Sequence, residues 1–175
     1  MRPVAHAIEL AFDDAARREI AVAFDALEAR GITALRGTSP HVHPHVSITV
    51  AADGAPSELA DALVGAAALC PDEVALSSVG AFLTPEPVVF YGVTPTAALL
   101  ALNGRVHELL AGHGVNLWPL YAPDCWVPHC TLAMRPRSLA TAMDALGGIR
   151  LPIAAATAGL RIVEVPTGKV AAIVR

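Results

Sequence analysis

Two short segments of the sequence have the same form and carry residues suited to proton transfer. HVSI begins at His45 and HCTL begins at His129; each places a hydroxyl residue two positions after the histidine, and a proline precedes each histidine. Because side chains alternate faces along a strand, His45 would share a face with Ser47, and His129 with Thr131. Same-face neighbours lie roughly 7 Å apart along a strand. Each pair could therefore touch one tetrahedral anion.

This combination of residue types predicts acid–base chemistry on a phosphate. An imidazole titrates near neutrality, so one histidine can take a proton from an attacking oxygen while the other gives one to a leaving oxygen. The hydroxyls of Ser47 and Thr131 would hold the non-bridging oxygens. Since proton transfer and electrostatic stabilisation can drive such a displacement, no metal or cofactor is expected. We predict His45 and His129 as the catalytic pair and the two hydroxyl residues as substrate-binding.

The elements around each motif follow the same order of strand, helix and strand. Residues 4–10 form a short apolar run, after which Asp13 or Asp14 can cap a helix that Gly31 would end. A second helix is expected over 57–69. In the second half, the run 87–93 leads to Thr94 and Pro95, which suit the start of a helix, and Gly112 or Gly114 suits its end.

The two halves are offset by a nearly constant number of residues. Val4 precedes Val88 by 84 residues, and His45 precedes His129 by the same distance. We therefore expect an α+β fold over residues 1–175, with two similar lobes related by a pseudo-twofold axis and a central cleft. Each lobe would be a mostly antiparallel sheet with helices. The strand 74–82 is assigned to the first lobe, and the hairpin of 160–165 and 169–174 to the second.

Composition restricts the partners and the compartment. A chain of 175 residues with 54% hydrophobic residues can fill a core, and a net charge of −4 argues against binding extended double-stranded nucleic acid. Three cysteines without paired spacing favour a reducing cytoplasm. No apolar run approaches the length of a membrane span, and the start, MRPVAHAIELAFDD, lacks a cleavage pattern. We expect a cytoplasmic protein without membrane association.

The paired HVSI and HCTL motifs, in this order of elements, resemble those of the 2H phosphoesterase superfamily, which includes 2′-5′ RNA ligase and 2′,3′-cyclic phosphodiesterase proteins. The resemblance implies a bilobal fold and metal-independent action on phosphodiesters, typically opening a 2′,3′-cyclic phosphate to a 2′-phosphate. The expected partner is a nucleotide or RNA end with a cyclic phosphate or a 2′-5′ linkage. Reversible 2′-5′ RNA ligase activity is a further expectation. The resemblance also implies that His45 and His129 are the acid–base pair, and that Ser47 and Thr131 bind the phosphate.

Four other side chains are weaker candidates for substrate binding. Arg36 precedes the first motif and Arg135 follows the second, so either guanidinium could reach a phosphate. Tyr121 and Trp126 precede the second motif and could stack on a base. Packing of these aromatic rings against the core is equally compatible with the sequence.

Two other functions remain open at this point. His41, His43 and His45 form an H-x-H-x-H pattern that could provide metal ligands from one face of a strand. The same cradle of histidines and hydroxyls could instead bind nucleotides or RNA ends without turnover. A binding module, however, would not need both a proton donor and a proton acceptor.

Overall fold

The computed structural model describes residues 4–174. Within that range, seven strands and four helices follow one another along the chain. The elements are β1 (His6–Phe12), α1 (Asp14–Glu28), β2 (His45–Ala51), α2 (Pro56–Ala67), β3 (Glu73–Phe82), β4 (Val88–Val93), α3 (Ala97–Gly112), β5 (His129–Met134), α4 (Leu139–Leu146), β6 (Ile153–Glu164) and β7 (Val170–Ile173). Residues 1–3 of the opening segment MRPVAHAIELAFDD lie outside the described residues.

Local signals at the helix ends were mostly sufficient to place them. The Asp13 side chain accepts a hydrogen bond from the Ala16 amide at 2.7 Å, which confirms it as the cap of α1. Gly31 follows that helix with φ of 72°, a conformation that glycine adopts at little cost. The cap of α3 is Thr96 rather than Thr94, so that prediction is wrong. The Thr94 amide instead donates to the Ala75 carbonyl at the edge of β3.

All strand pairings are antiparallel, and the strands form one sheet in the order β2-β1-β6-β3-β4-β5, with β7 beside β6. β6 is the longest strand and belongs to both lobes. Its first residues pair with β3, and its later residues pair with β1 and β7. The first lobe therefore contains β2, β1, the later part of β6, and β7, whereas the second contains β5, β4 and β3.

This topology corrects the assignment of the last strands to the lobes. The strand 74–82 pairs with β4 and lies in the second lobe, and the 160–174 hairpin pairs with β1 and lies in the first. Each repeat thus gives its third strand to the other lobe. The 84-residue offset is kept in these pairings. His6 pairs with Glu164 and Phe90 pairs with Gly80, and both His6 and Phe90 and their partners Gly80 and Glu164 are 84 positions apart.

The core lies between the helices and the covered face of the sheet. Val46 and Ile48 of β2 are fully buried, as are Cys130 and Leu132 of β5. Burial raises the pKa of the Cys130 thiol to about 12, so this cysteine is an uncharged core residue. Across residues 4–174 no helix has both the length and the apolar character needed to cross a bilayer.

Candidate active site

The two strands that carry the motifs, β2 and β5, are the first and last in the order of the sheet. They nevertheless contact each other across the cleft. The sheet therefore curves until its terminal strands meet. Along both strands, the histidine and hydroxyl residues are partly exposed while the residues between them are buried. This alternation confirms the predicted facing: His45 and Ser47 point to the cleft from one lobe, and His129 and Thr131 do so from the other.

Both imidazole rings are anchored to the backbone in the same way. Nδ1 of His45 lies 2.7 Å from the carbonyl oxygen of His43, and Nδ1 of His129 lies 2.7 Å from that of Val127. Because a carbonyl oxygen only accepts hydrogen bonds, each Nδ1 must carry the proton. Nε2 of each ring is consequently the nitrogen available for proton transfer.

The surroundings of His129 favour a neutral ring. Phe82 meets the imidazole in a T-shaped contact with ring centroids 4.9 Å apart, and the Phe90 ring centroid lies at 5.3 Å. Burial lowers the pKa of His129; the Val127 carbonyl opposes this shift, and the nearby His45 adds to it. With Nδ1 protonated, Nε2 of His129 offers a lone pair that can accept a proton.

A buried carboxylate lies beside His45. The Glu9 carboxylate oxygen Oε1 is 3.3 Å from His45 Nε2. Glu9 is only 5% exposed, and its other carboxylate oxygen accepts hydrogen bonds from Arg161. The pairing of β1 with β2 is irregular between Ile8 and Glu9, and such a bulge can redirect a side chain next to a site.

The hydroxyl of Ser47 and the backbone around it are tied to the second lobe. Burial raises the pKa of the Tyr121 hydroxyl, and the neighbouring Ser47 side chain opposes that shift. Trp126 Nε1 donates to the Ser47 carbonyl at 3.1 Å. Asn103, buried in α3, donates to the carbonyl oxygens of Ile48 and Tyr121. These bonds fix the exposed edge of β2 against the loop that precedes β5.

A largely apolar cavity of about 460 Å³ opens beside His129. Thr131 lies in its wall, together with aromatic and aliphatic side chains from the loop before β5 and from the β3–β4 hairpin. The ring-bearing members are Phe82, Trp118, Tyr121 and Trp126. Flat aromatic rings in the wall of a cavity suit a nucleobase.

The sequence matches the family model of the 2′-5′ RNA ligase superfamily over residues 16–163, which is most of the chain. The chain belongs to this superfamily. The resemblance drawn from HVSI and HCTL is thereby confirmed, since this is the 2H phosphoesterase group. Both motif strands fall inside the matched range.

Two solved structures share the fold at low sequence identity. The MHV ns2 PDE domain superposes with a TM-score of 0.60 at 17% identity, covering 93% of this chain and 99% of the other. Usb1 from Kluyveromyces marxianus gives a TM-score of 0.50 at 11% identity, covering 99% of both chains. No curated protein matches the sequence significantly. These likenesses establish the α+β fold expected from the sequence.

Within this 2H fold, the two arginine candidates are engaged away from the cleft. The Arg36 guanidinium binds the carboxylates of Asp25 and Glu28 on α1 and lies over the Phe24 ring. Those carboxylates raise the pKa of Arg36. Arg135 is exposed and lies 3.4 Å from Glu86 at the outer end of β4. Neither arginine is brought to the histidines, whereas Tyr121 and Trp126 are.

The H-x-H-x-H pattern does not become a metal-binding cluster. His41 and His43 are exposed in the loop before β2, and His45 is anchored to the His43 carbonyl through Nδ1. Among residues 4–174, no three histidine, cysteine, aspartate or glutamate side chains are grouped so that they could hold a metal ion.

Sequence reasoning missed the charged pair behind His45. Glu9 and Arg161 are separated by 152 positions in the chain but lie opposite each other in the β1–β6 ladder. The available signal was the single acidic residue of the apolar strand HAIELAF and the single basic residue of the apolar strand LRIVEV. A buried charge without a partner is costly, so one acidic and one basic strand residue could have been matched with each other.

Proposed function

We propose that this 2H phosphoesterase is a metal-independent phosphodiesterase acting on 2′,3′-cyclic phosphate or 2′-5′-linked nucleotide and RNA ends. The observation that carries the proposal is the matched anchoring of His45 and His129 through Nδ1, so that Nε2 is the nitrogen of each ring that can exchange a proton; in His45 this nitrogen lies 3.3 Å from the Glu9 carboxylate. Membership in the 2′-5′ RNA ligase superfamily supports the same chemistry. The apolar cavity beside Thr131 supports a substrate that carries a base.

The surroundings of His129 assign the roles of the two histidines. His129 is the general base, because its burial among aromatic rings favours the neutral form. His45 is then the general acid, since this mechanism needs one histidine in each role. One imidazole thus starts without a proton on Nε2, and the other starts with one. This is the combination that displacement at phosphorus requires.

The reaction on a 2′,3′-cyclic phosphate then has two balanced proton transfers. His129 Nε2 takes a proton from a water molecule whose oxygen attacks phosphorus. The bond between phosphorus and the 3′ oxygen breaks, and His45 Nε2 gives its proton to that oxygen. The products are a 2′-phosphate and a free 3′-hydroxyl. Ser47 and Thr131 donate to the non-bridging oxygens, where negative charge increases in the transition state.

Product analysis tests this proposal. The purified protein is incubated with adenosine 2′,3′-cyclic phosphate and, separately, with a 2′-5′-linked diadenylate, each with and without EDTA. We expect the cyclic substrate to give adenosine 2′-phosphate at a rate that EDTA does not change, and His45→Ala with His129→Ala to abolish it. Saturable binding of both compounds without turnover would instead identify a nucleotide-binding module. Loss of activity with EDTA, restored by a divalent metal, would contradict the metal-independent mechanism.

A further inference from the structure

A second cavity, of about 390 Å³, lies in the first lobe and has a different chemical character. Arg17 from α1, His43 from the loop before β2, and Arg161 from β6 line it. Aliphatic residues including Leu160 and Ile173 complete the wall. The cavity thus combines two guanidinium groups and an imidazole with an apolar surface.

The strand register puts this cavity on the same side of the sheet as the candidate active site. Arg161 lies opposite Glu9 in the β1–β6 ladder, and Glu9 lies opposite Ser47 in the β1–β2 ladder. Residues opposite each other in a ladder point to the same face of a sheet, so Arg161 shares the face of Ser47 and His45. His43 precedes His45 by two residues, which corresponds to roughly 7 Å along an extended chain.

The basic groups of the cavity are only partly neutralised by protein carboxylates. Arg161 is 7% exposed and binds Glu9 through Nε and Nη2, while its Nη1 donates no hydrogen bond within residues 4–174. Arg17 Nε donates to the Phe12 carbonyl, and its Nη1 lies 3.6 Å from Asp14, a carboxylate whose side chain is 85% exposed. An ion pair that is so long and solvated is weak.

The effect of these charges is visible at His43. Its pKa is lowered first by partial burial and then by the guanidinium groups of Arg17 and Arg161, whereas Glu9 opposes the shift. Both guanidinium groups line the same cavity as the His43 ring. A phosphate placed between these three side chains would meet attraction from two permanent cations.

One residue in the wall of each cavity occupies an equivalent position of the repeat. His43 and Val127 are 84 residues apart, and each supplies the carbonyl that anchors the following histidine. The side chain of Val127 lines the apolar cavity beside His129, while that of His43 lines the basic cavity beside His45. The two sides of the cleft therefore differ, one suiting a base and the other an anion.

We propose that the basic cavity binds a second phosphate of the substrate, carried on the 5′ position of the nucleotide whose cyclic phosphate reacts. This inference rests on the proposed function. Arg17, His43 and the free edge of the Arg161 guanidinium would contact that phosphate. The enzyme would then prefer 5′-phosphorylated ends over 5′-hydroxyl ends of the same sequence.

The test compares two substrates that differ only in this group, adenosine 2′,3′-cyclic phosphate with and without a 5′-phosphate. In the unaltered protein, we expect the 5′-phosphate to lower KM by about 10-fold, the scale of one charge-assisted contact. Arg17→Gln should remove most of that gain and change KM for the 5′-hydroxyl substrate by less than about 2-fold. His43→Gln should also reduce the decrease in KM that the 5′-phosphate gives. The matched control is Arg18→Gln, an exposed arginine on the same helix outside the cavity.

Two results would overturn the inference. One is an equal KM for the two substrates in the unaltered protein, and the other is an equal effect of Arg17→Gln and Arg18→Gln. Calorimetric binding of adenosine 5′-monophosphate and adenosine separates this inference from the proposed function. If neither cyclic substrate is turned over, the proposed function fails, but selective weakening of monophosphate binding by Arg17→Gln would still support the anion site. Equal affinities for adenosine 5′-monophosphate and adenosine would overturn the inference of an anion site.

Discussion

The ring of Phe82 stands edge-on to the imidazole of His129, with their centroids 4.9 Å apart. Phe82 comes from β3, a strand of the first repeat that lies in the second lobe. The exchange of third strands between the repeats thus puts a first-repeat side chain against the histidine of the second repeat. This contact contributes to the burial that lowers the pKa of His129.

The first prediction concerns the pH dependence of kcat/KM. With one imidazole neutral and the other charged in the productive form, the profile should be bell-shaped. Burial lowers the pKa of His129 from its ordinary value of 6.5, so the base loses its proton at lower pH and the acidic limb should lie below that value. Phe82→Ala lets water reach the ring, and the acidic limb should move to higher pH.

Leu83→Ala is the matched control for that shift, because Leu83 follows Phe82 directly and its side chain is 82% exposed. Its pH profile should coincide with that of the unaltered protein. An acidic limb that stays in place in Phe82→Ala, with the NMR titration of His129 also unchanged, would show that the aromatic contact does not control the protonation of the base.

The second prediction concerns the buried pair of Glu9 and Arg161. Replacing one partner leaves the other charge buried without compensation, so Glu9→Gln should lower the free energy of unfolding by about 3 kcal/mol. Urea denaturation measures this change. The exposed pair of Arg30 and Asp144 provides the comparison, and Arg30→Gln should cost less than about 1 kcal/mol. Equal losses in the two variants would mean that the Glu9 carboxylate is well solvated.

The third prediction concerns Asn103. Its side-chain amide nitrogen lies 2.9 Å from the Ile48 carbonyl and 3.1 Å from the Tyr121 carbonyl. Asn103→Ala should lower the free energy of unfolding by about 2–3 kcal/mol, because two carbonyl groups lose their partner. KM should also rise, since β2 and the loop carrying Tyr121 are no longer joined. Glu108→Ala, an exposed change on the same helix, is the control and should leave the free energy of unfolding and KM unchanged. If Asn103→Ala changed these two quantities no more than Glu108→Ala does, the proposed role of Asn103 would be contradicted.

The features of the site that the sequence predicted are those that depend on local periodicity. The alternation in HVSI and HCTL fixes which side chains share a face, because the strand repeat of two residues does not depend on the rest of the fold. The cap at Asp13 and the end at Gly31 were likewise predictable from neighbouring residues. Thr94 and Thr96 both carry a hydroxyl group that could cap α3. Thr96 caps the helix, whereas the Thr94 amide donates to a carbonyl of β3.

The features that the sequence did not predict depend on which strands become neighbours. The exchange of β3 and β6 between the lobes leaves no mark on hydrophobic periodicity, because either arrangement buries the same faces. Glu9 and Arg161 form a charged pair because of that exchange, since it places them opposite each other in neighbouring strands. The position of Arg36 in the chain predicted contact with a phosphate, but two carboxylates 8 and 11 positions earlier bind its guanidinium.

The most direct test of the two-histidine mechanism is kcat for a 2′,3′-cyclic nucleotide in single alanine variants of the four cleft residues. We predict that His45→Ala and His129→Ala each lower kcat by about 100-fold or more, the scale of a lost general acid or base. Ser47→Ala and Thr131→Ala should lower it less, with part of the loss in KM. His41→Ala, an exposed histidine outside the cleft, should keep full activity. Full activity in folded His45→Ala or His129→Ala, judged by an unchanged unfolding transition, would contradict the mechanism.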